Sequence, residues 1–267
     1  MKIRIKFAKY GTMKFIGHLD IMRFFQKAIR RADIDVKYSE GFSPHQIMSF
    51  AAPLGVGIES TGEYLDIEVN SFTSANEMKD ALNKTMVEGL EILSVKELPD
   101  SVKNAMASVA AAGYRISRHP QTIPENHTEN DSPAVPNLFA IEDIRSKLAA
   151  FYAQKHIPVM KQTKKSTIEL DLKPAIYELE IQEAVSLFSS DKATYPVISI
   201  LVNASSSGNI KPAFVLEALC AYCGIEFIPQ AYQIMRTETY TENPDTADAV
   251  SGEKKLASFV PLEAVGV

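Results

Sequence analysis

The chain has 267 residues, of which 46% are hydrophobic and 23% are charged, and its formal net charge is -5. This composition is ordinary for a globular protein of one large or two ordinary domains. No apolar run reaches the roughly 20 residues that span a bilayer, and the charged N-terminus lacks the apolar core of a signal peptide. The only cysteines are Cys220 and Cys223. They exclude a disulfide framework and predict a reducing, cytoplasmic compartment.

Charge is distributed unevenly along the chain. Residues 1–48 contain ten Lys or Arg and four Asp or Glu, a local excess of +6. The other 219 residues therefore carry -11. Such asymmetry predicts that the N-terminal end faces a polyanion, while the rest keeps the protein in solution.

The first part of the chain alternates between strand and helix periodicity. Apolar and charged residues alternate over 2–7, which is typical of a half-buried strand. Apolar residues then recur at helical spacing between Gly17 and Asp33. A capping box of Ser74 and Glu77 predicts the start of a second helix. The apolar stripe of the first helix consists of Met22, Phe25, Ile29 and Ala32. The other strand patterns cover 36–38, 47–52, 63–69 and 90–95. This β-α-β-β-α-β order is typical of a ferredoxin-like unit.

The second half repeats this order less clearly, so we predict an α+β protein. We expect the whole chain to form two tandem ferredoxin-like units, each with an antiparallel sheet that carries its helices on one face. The predicted divisions are a first unit at 1–97, a connecting helix at 98–112, a second unit at 113–242 with a flexible loop at 119–137, and a mobile tail at 243–267. The last twelve residues are apolar, which leaves a docking segment as the alternative to a frayed end.

Two histidines and an aspartate form a candidate catalytic site. His18 and Asp20 fall in the first turn of the first helix, and His45 ends a loop shaped by Gly41 and Pro44. Imidazole and carboxylate groups together can perform acid-base catalysis. Their spacing matches no standard metal motif, so we expect no metal. The simpler interpretation is that Asp20 complements the helix dipole and that His18 caps or packs.

A basic stripe on the first helix is a candidate polyanion-binding surface. Arg23, Lys27 and Arg30 lie at i, i+4 and i+7 and so share one helix face. The complete set is Lys14, Arg23, Lys27, Arg30 and Arg31. Few acidic residues offer i, i+4 pairing, which favours an external partner such as a phosphate backbone or an acidic protein surface. The alternative is a solvated helix face, since Lys and Arg are good helix formers.

Two further motifs lie near the end of the second unit. A run of small residues precedes a helix that begins at Pro212, where backbone N–H groups can approach an anion. These residues are Ser206, Ser207, Gly208, Asn209 and Lys211. The alternative is an ordinary capped turn.

The C-x-x-C of Cys220 and Cys223 ends that helix, which predicts buried structural cysteines rather than a redox site. No cofactor is expected.

The chain resembles the radical-SAM-linked protein family of bacteria. The resemblance covers about residues 2–240 and is most specific in the first 70. The matching segments are Phe15-Ile16-Gly17-His18-Leu19-Asp20, Arg30-Arg31-Ala32, Tyr38-Ser39-Glu40-Gly41-Phe42-Ser43-Pro44-His45, Pro53-Leu54-Gly55-Val56, Gly62-Glu63-Tyr64-Leu65-Asp66-Ile67 and Ser206-Ser207-Gly208-Asn209-Ile210-Lys211-Pro212.

The resemblance implies a partner and a cellular setting. Members of that family are encoded beside, or fused to, a radical-SAM protein with a cobalamin-binding-like region, often near genes of RNA or ribosome metabolism. The chain lacks a Cys-x-x-x-Cys-x-x-Cys cluster, so it is not itself the radical-SAM enzyme.

We therefore expect an accessory factor of a radical-SAM protein in RNA or ribosome metabolism, which binds RNA or another polyanion through its basic first helix. The expected partners are that radical-SAM protein and RNA or a ribosomal particle, with no membrane partner. The alternatives are an RNA-cleaving or RNA-modifying enzyme that uses His18, Asp20 and His45, and a pure protein adaptor.

Overall fold

The computed structural model describes residues 1–119, 135–162, 166–185, 194–246 and 255–267. The N-terminal part contains β1 (Lys2–Lys9), α1 (His18–Arg31), β2 (Met48–Phe50), β3 (Glu59–Glu68), α2 (Ala75–Asn83) and β4 (Leu90–Leu98). The remainder contains α3 (Ala105–Ser108), β5 (Ala111–Arg118), α4 (Ile144–Tyr152), β6 (Pro158–Gln162), β7 (Thr167–Asp171), β8 (Ile176–Val185), β9 (Thr194–Asn203), α5 (Pro212–Tyr222), β10 (Tyr232–Glu242) and β11 (Phe259–Pro261).

One large sheet organises the molecule. Its strand order is β4-β1-β3-β10-β5-β9-β8, with β2 added to β3 and β11 added to β10. The pairs are antiparallel, except that β3 runs parallel to β10 where Glu59 faces Met235 and Ser60 faces Arg236. Strands β6 and β7 form a separate hairpin. The protein is therefore of mixed α+β class, with a large, mostly antiparallel sheet and few helices. The sequence predicted two sheets, whereas the β3–β10 pairing joins the halves into one.

The core of the N-terminal part lies between one sheet face and two helices. Apolar residues of β1, β3 and β4 pack in one cluster with Phe25 of α1 and Leu82 of α2. Both helices therefore cover the same face, as the βαββαβ order requires. The buried residues of α1 are Ile21, Phe25, Ala28 and Ile29. The buried stripe is thus displaced from the predicted one, because Met22 and Ala32 are only half-buried.

A second core lies against β5, β8 and β9. Leu148 and Phe151 of α4 and Leu216 and Leu219 of α5 are buried in it. Helix α5 begins at Pro212, as the sequence indicates.

The segments between and after the predicted units differ from the prediction. The connecting helix expected at 98–112 is reduced to the four residues of α3, because β4 extends to Leu98 and β5 already begins at Ala111. Of the flexible loop predicted at 119–137, residues 120–134 lie outside the described residues.

The described part of the predicted tail is packed rather than mobile. Strand β11 pairs with β10, and Leu262 is fully buried. The backbone of Val267 exchanges two hydrogen bonds with Glu97, of 3.0 and 3.1 Å. The apolar character of the last twelve residues is explained by this contact with the sheet, which makes 255–267 a docking segment. Residues 247–254 of the predicted tail lie outside the described residues.

Among the helices that the structure describes, none combines the length and the apolar character needed to cross a membrane.

Candidate nucleic-acid-binding surface

Helix α1 presents a row of cations to solvent. Its buried face packs on the sheet, so Arg23, Lys27, Arg30 and Arg31 are left exposed. Arg23 has one weak partner, since its Nη1 lies 3.3 Å from the Oδ1 of Asp20 in an exposed i, i+3 pair. In the described parts of the chain, Lys27, Arg30 and Arg31 form no ion pair. The positive charge of this face is therefore largely uncompensated.

Lys14, which the sequence assigned to the same surface, is engaged inside the protein. Its Nζ lies 3.2 Å from the Oε1 of Glu59, and both side chains are mostly buried. Glu59 in turn accepts a hydrogen bond of 2.8 Å from the amide of Gln233 on β10. Glu59, the first residue of β3, therefore binds both Lys14 and β10, and the charge of Lys14 is neutralised locally.

Several other cations of the first 48 residues also face inward. Arg4 is fully buried and Lys9 is 3% exposed, with the Nζ of Lys9 donating to the carbonyl of Ile16 at 2.6 Å. Burial lowers the pKa of Lys9. The local excess of +6 thus overstates the charge available to a partner, and α1 carries most of what remains at the surface.

The loop between residues 38 and 46 is anchored beside the basic row. Tyr38 and Gln46 form an isolated β-bridge at its base. The Nε2 of Gln46 donates to the carbonyl oxygen of Gln26 at 3.2 Å, and the Nε of Arg30 donates to the same oxygen at 3.3 Å. The ring of Phe42 is fully exposed in this loop.

The three residues of the candidate catalytic site have separate surroundings. The ring of His18 packs edge-on against Phe50 with centroids 5.2 Å apart, and Asp20 pairs with Arg23. His45 stays within its own loop, where its Nδ1 lies 2.8 Å from the Oγ of Ser39. Among the described residues, no hydrogen bond links His18, Asp20 and His45, and no group of three or more His, Cys, Asp or Glu could hold a metal ion.

The predicted anion-binding loop lines an open cleft of about 670 Å³. Ser206, Ser207, Gly208, Asn209 and Lys211 all contribute to this lining. The loop also satisfies part of its own polar capacity, because the Oδ1 of Asn203 accepts from the backbone and the hydroxyl of Ser205. Asp171 lines the same cleft. Its carboxylate adds a negative charge that opposes an anion, so the site stays a prediction.

The two cysteines are free thiols at the end of α5. Cys220 is buried, and its Sγ lies 3.3 Å from the hydroxyl of Tyr232. Cys223 is half-buried. Burial raises the pKa of both thiols, which keeps them protonated and unreactive at neutral pH. Cys220 is thus buried as predicted, whereas Cys223 is only half-buried.

A half-buried ionic cluster lies on the other sheet face, and no pattern in the sequence indicated it. The Nζ of Lys6 lies 2.6 Å from Glu238 of β10 and 2.6 Å from Glu263 of the C-terminal segment. Burial would lower the pKa of Lys6, but its hydrogen bonds to both carboxylates outweigh that effect and raise it. The hydroxyl of Tyr64 donates to Glu238 at 2.7 Å, and burial raises the pKa of both groups. The cluster joins the two halves of the sheet and is covered by the C-terminal segment.

Comparisons with known proteins identify one family. A family model described as "Uncharacterized protein conserved in bacteria (DUF2344)" matches residues 2–212. No curated protein matches the chain. Among solved structures, the chain is similar to an unknown protein from Galdieria sulphuraria at 14% sequence identity, over 89% of this chain and 97% of that one, with a TM-score of 0.22.

Proposed function

The chain belongs to the DUF2344 family of proteins conserved in bacteria, and we propose that it is an accessory factor that binds RNA through the exposed basic face of α1. The observation that carries the proposal is the row formed by Arg23, Lys27, Arg30 and Arg31. These four cations lie within 9 residues of a single helix and have one exposed carboxylate, Asp20, as their only ion-pair partner among the described residues. Phosphate groups are the ligands that such a row suits best.

Charge reversal tests this function. Replacing Arg23, Lys27 and Arg30 by Glu changes three exposed positions, so the fold should persist while RNA binding is lost. A matched control replaces Lys84, Lys147 and Lys155 by Glu, since these lysines are also exposed but lie outside α1. The control has the same total charge change and should retain binding. Equal loss in both variants, or no salt-sensitive RNA binding by the unchanged protein, contradicts the proposal.

The radical-SAM partner is part of the proposal and rests on the resemblance of the first 70 residues. A pull-down with a radical-SAM protein that contains a cobalamin-binding-like region tests it directly. If the α1 charge-reversal variant retains that partner but loses RNA, separate surfaces serve the two partners. If it loses the partner and the unchanged protein binds no RNA, the basic row docks protein, and the adaptor function replaces the RNA function.

The enzymatic alternative has less support from the geometry. An acid-base pair must reach one shared atom within about 3 Å or through one water. His18 instead packs on Phe50, and His45 is held by Ser39. We therefore favour binding over catalysis for this surface.

The repeated strand order supports the predicted tandem architecture. In the N-terminal part the pairing order is β4-β1-β3-β2, and in the remainder it is β10-β5-β9-β8. Each set runs through a strand, a helix, two strands, a helix and a strand along the chain, with the β6–β7 hairpin as an addition to the second. We infer two ferredoxin-like units fused through β3 and β10.

A further inference from the structure

Resting on the proposed function, we infer that α1 and the loop at 38–46 bind single-stranded rather than double-stranded RNA. The cations of α1 contact the phosphates, and the exposed rings of Phe15 and Phe42 stack on unpaired bases. Proteins that bind single strands combine a basic track with aromatic platforms in this way.

The basic track has a definite direction and length. Arg23 and Lys27 lie four residues apart and Arg30 follows three residues later, so they form one row along the exposed side of α1. From Arg23 to Arg30 the row spans roughly 10 Å, at 1.5 Å per residue. It is therefore a narrow strip and not a broad basic surface.

One exposed aromatic ring precedes α1, and a second lies in a loop that is anchored on this helix. Phe15, which is 63% exposed, ends a short turn three residues before α1 begins. Arg30 and Gln46 share the carbonyl of Gln26 as hydrogen-bond acceptor. This shared acceptor fixes the base of the loop that carries Phe42 beside the last cation of the row.

The position of Phe42 is set by the loop rather than by packing of its ring. Ser39 and His45 close the loop through two bonds: the backbone N–H of Ser39 donates to the carbonyl of His45 at 2.8 Å, and the backbone N–H of His45 donates to the hydroxyl of Ser39 at 3.1 Å. Gly41 has φ 113°, a conformation that favours glycine and lets the chain turn just before Phe42. A fully exposed ring on a closed loop presents both faces to a ligand at little entropic cost.

These features discriminate between forms of RNA. A duplex keeps its bases stacked inside. Its phosphates would contact the cations of α1, but neither phenylalanine ring would stack on a base. A single strand offers phosphates and unpaired bases together, and every base has a flat face that can stack on phenylalanine. An acidic peptide would satisfy the charges, but it would give the rings no matched surface.

A tryptophan placed at position 42 reports on stacking directly. The chain contains no tryptophan, so Phe42→Trp gives a fluorescence signal from this site alone. We expect a single-stranded RNA of about 10 nucleotides to quench it and a blunt-ended duplex of equal phosphate number to leave it unchanged. Tyr195→Trp is the matched control, since Tyr195 is 36% exposed but lies on β9. Its signal should not respond to either RNA.

Affinity measurements complete the test. We expect Phe42→Ala to weaken binding of the single strand by about 5- to 150-fold, the range for loss of one stacked base, with duplex binding and Tyr195→Ala unaffected. This inference is overturned if the protein binds duplex as tightly as the single strand and Phe42→Ala changes neither affinity. The proposed function stays intact in that case, provided that binding depends on the charges of α1. Absence of any RNA binding by the unchanged protein overturns both this inference and the proposed function. A single-stranded DNA of the same sequence separates recognition of the ribose from recognition of bases and phosphates.

Discussion

The guanidinium of Arg4 forms a bidentate ion pair with the carboxylate of Asp66 inside the protein. Nε lies 2.8 Å from Oδ1, and Nη2 lies 2.9 Å from Oδ2. The remaining polar capacity is also used, because Nη1 donates to the carbonyl of Leu262 and the backbone N–H of Ala105 donates to Asp66. This ion pair thus links β1, β3, the first residue of α3 and the C-terminal segment.

Replacing Arg4 by Ala should therefore cost about 3–5 kcal/mol of unfolding free energy, because it leaves a buried carboxylate without its cation. Urea denaturation of the purified variant measures this. The control is Arg145→Ala, which breaks an exposed pair with Glu183 and should cost at most about 1 kcal/mol. If both variants lost at most about 1 kcal/mol of unfolding free energy, the buried pair would contribute no more to stability than the exposed one.

The C-terminal segment should contribute to stability as part of the core. Leu262 is fully buried, so Leu262→Ala should lower the unfolding free energy by about 2–5 kcal/mol. Leu256 belongs to the same segment but is 43% exposed, and Leu256→Ala should change stability by no more than about 0.5 kcal/mol. Chemical denaturation of the two variants measures both changes in unfolding free energy. Equal and small effects would mean that the segment detaches readily from the sheet.

Much of the element order was predictable from local pattern. The alternation in β1, the helical spacing of α1 and the capping box of α2 each reflect interactions within a few residues. In α2 the Oγ of Ser74 accepts from the backbone N–H of Glu77, as the capping box predicts. The pairing of β3 with β10 involves residues more than 170 positions apart, and no local periodicity encodes such a contact.

The same reason explains why two cations counted in the N-terminal charge excess are enclosed by the protein. Alternation places Arg4 and Lys6 opposite the apolar face of β1, and such a face is usually solvated in an antiparallel sheet. Here the C-terminal segment covers it. A signal did exist, since Arg4 faces Asp66 in the register with β3. Complementary charges on two strands are recognisable only once their pairing is known. The cations of α1 needed no such knowledge, because the spacing along one helix determines which side they share.

The ion pair between Lys6 and Glu263 should make stability dependent on pH. Burial would raise the pKa of Glu263, but hydrogen bonds from Lys6 and Ser94 outweigh it and lower the pKa below its usual 4.5. A carboxyl whose pKa is lower in the folded state stabilises the fold above pH 4.5, and this contribution is lost as the pH falls through the folded value. The pKa of Lys6 is raised above 10.5, so its own contribution persists across neutral pH.

Glu263→Gln should consequently reduce the unfolding free energy at pH 7 by about 1 kcal/mol, the scale of a partly solvated charged hydrogen bond. The difference from the unchanged protein should shrink below pH 4.5. Urea titrations over a series of pH values measure it, with exposed Glu226→Gln as the control. A difference that stayed constant with pH would assign the effect to packing instead of charge.

The salt dependence of RNA binding should distinguish two lysines that look equivalent in the sequence. Lys27 is exposed on α1, whereas Lys14 is bound to Glu59. Each phosphate contact with a single strand contributes about 0.7 to the slope of log affinity against log salt concentration. Lys27→Met should therefore reduce the magnitude of the slope by roughly 0.7, and Lys14→Met should leave it unchanged. Anisotropy titrations of a labelled single strand at several salt concentrations measure both slopes, with urea denaturation to verify that each variant is folded. If Lys14→Met reduced the slope as much as Lys27→Met, the RNA would have to reach the seam between β3 and β10, and the binding surface would not be the exposed row of α1.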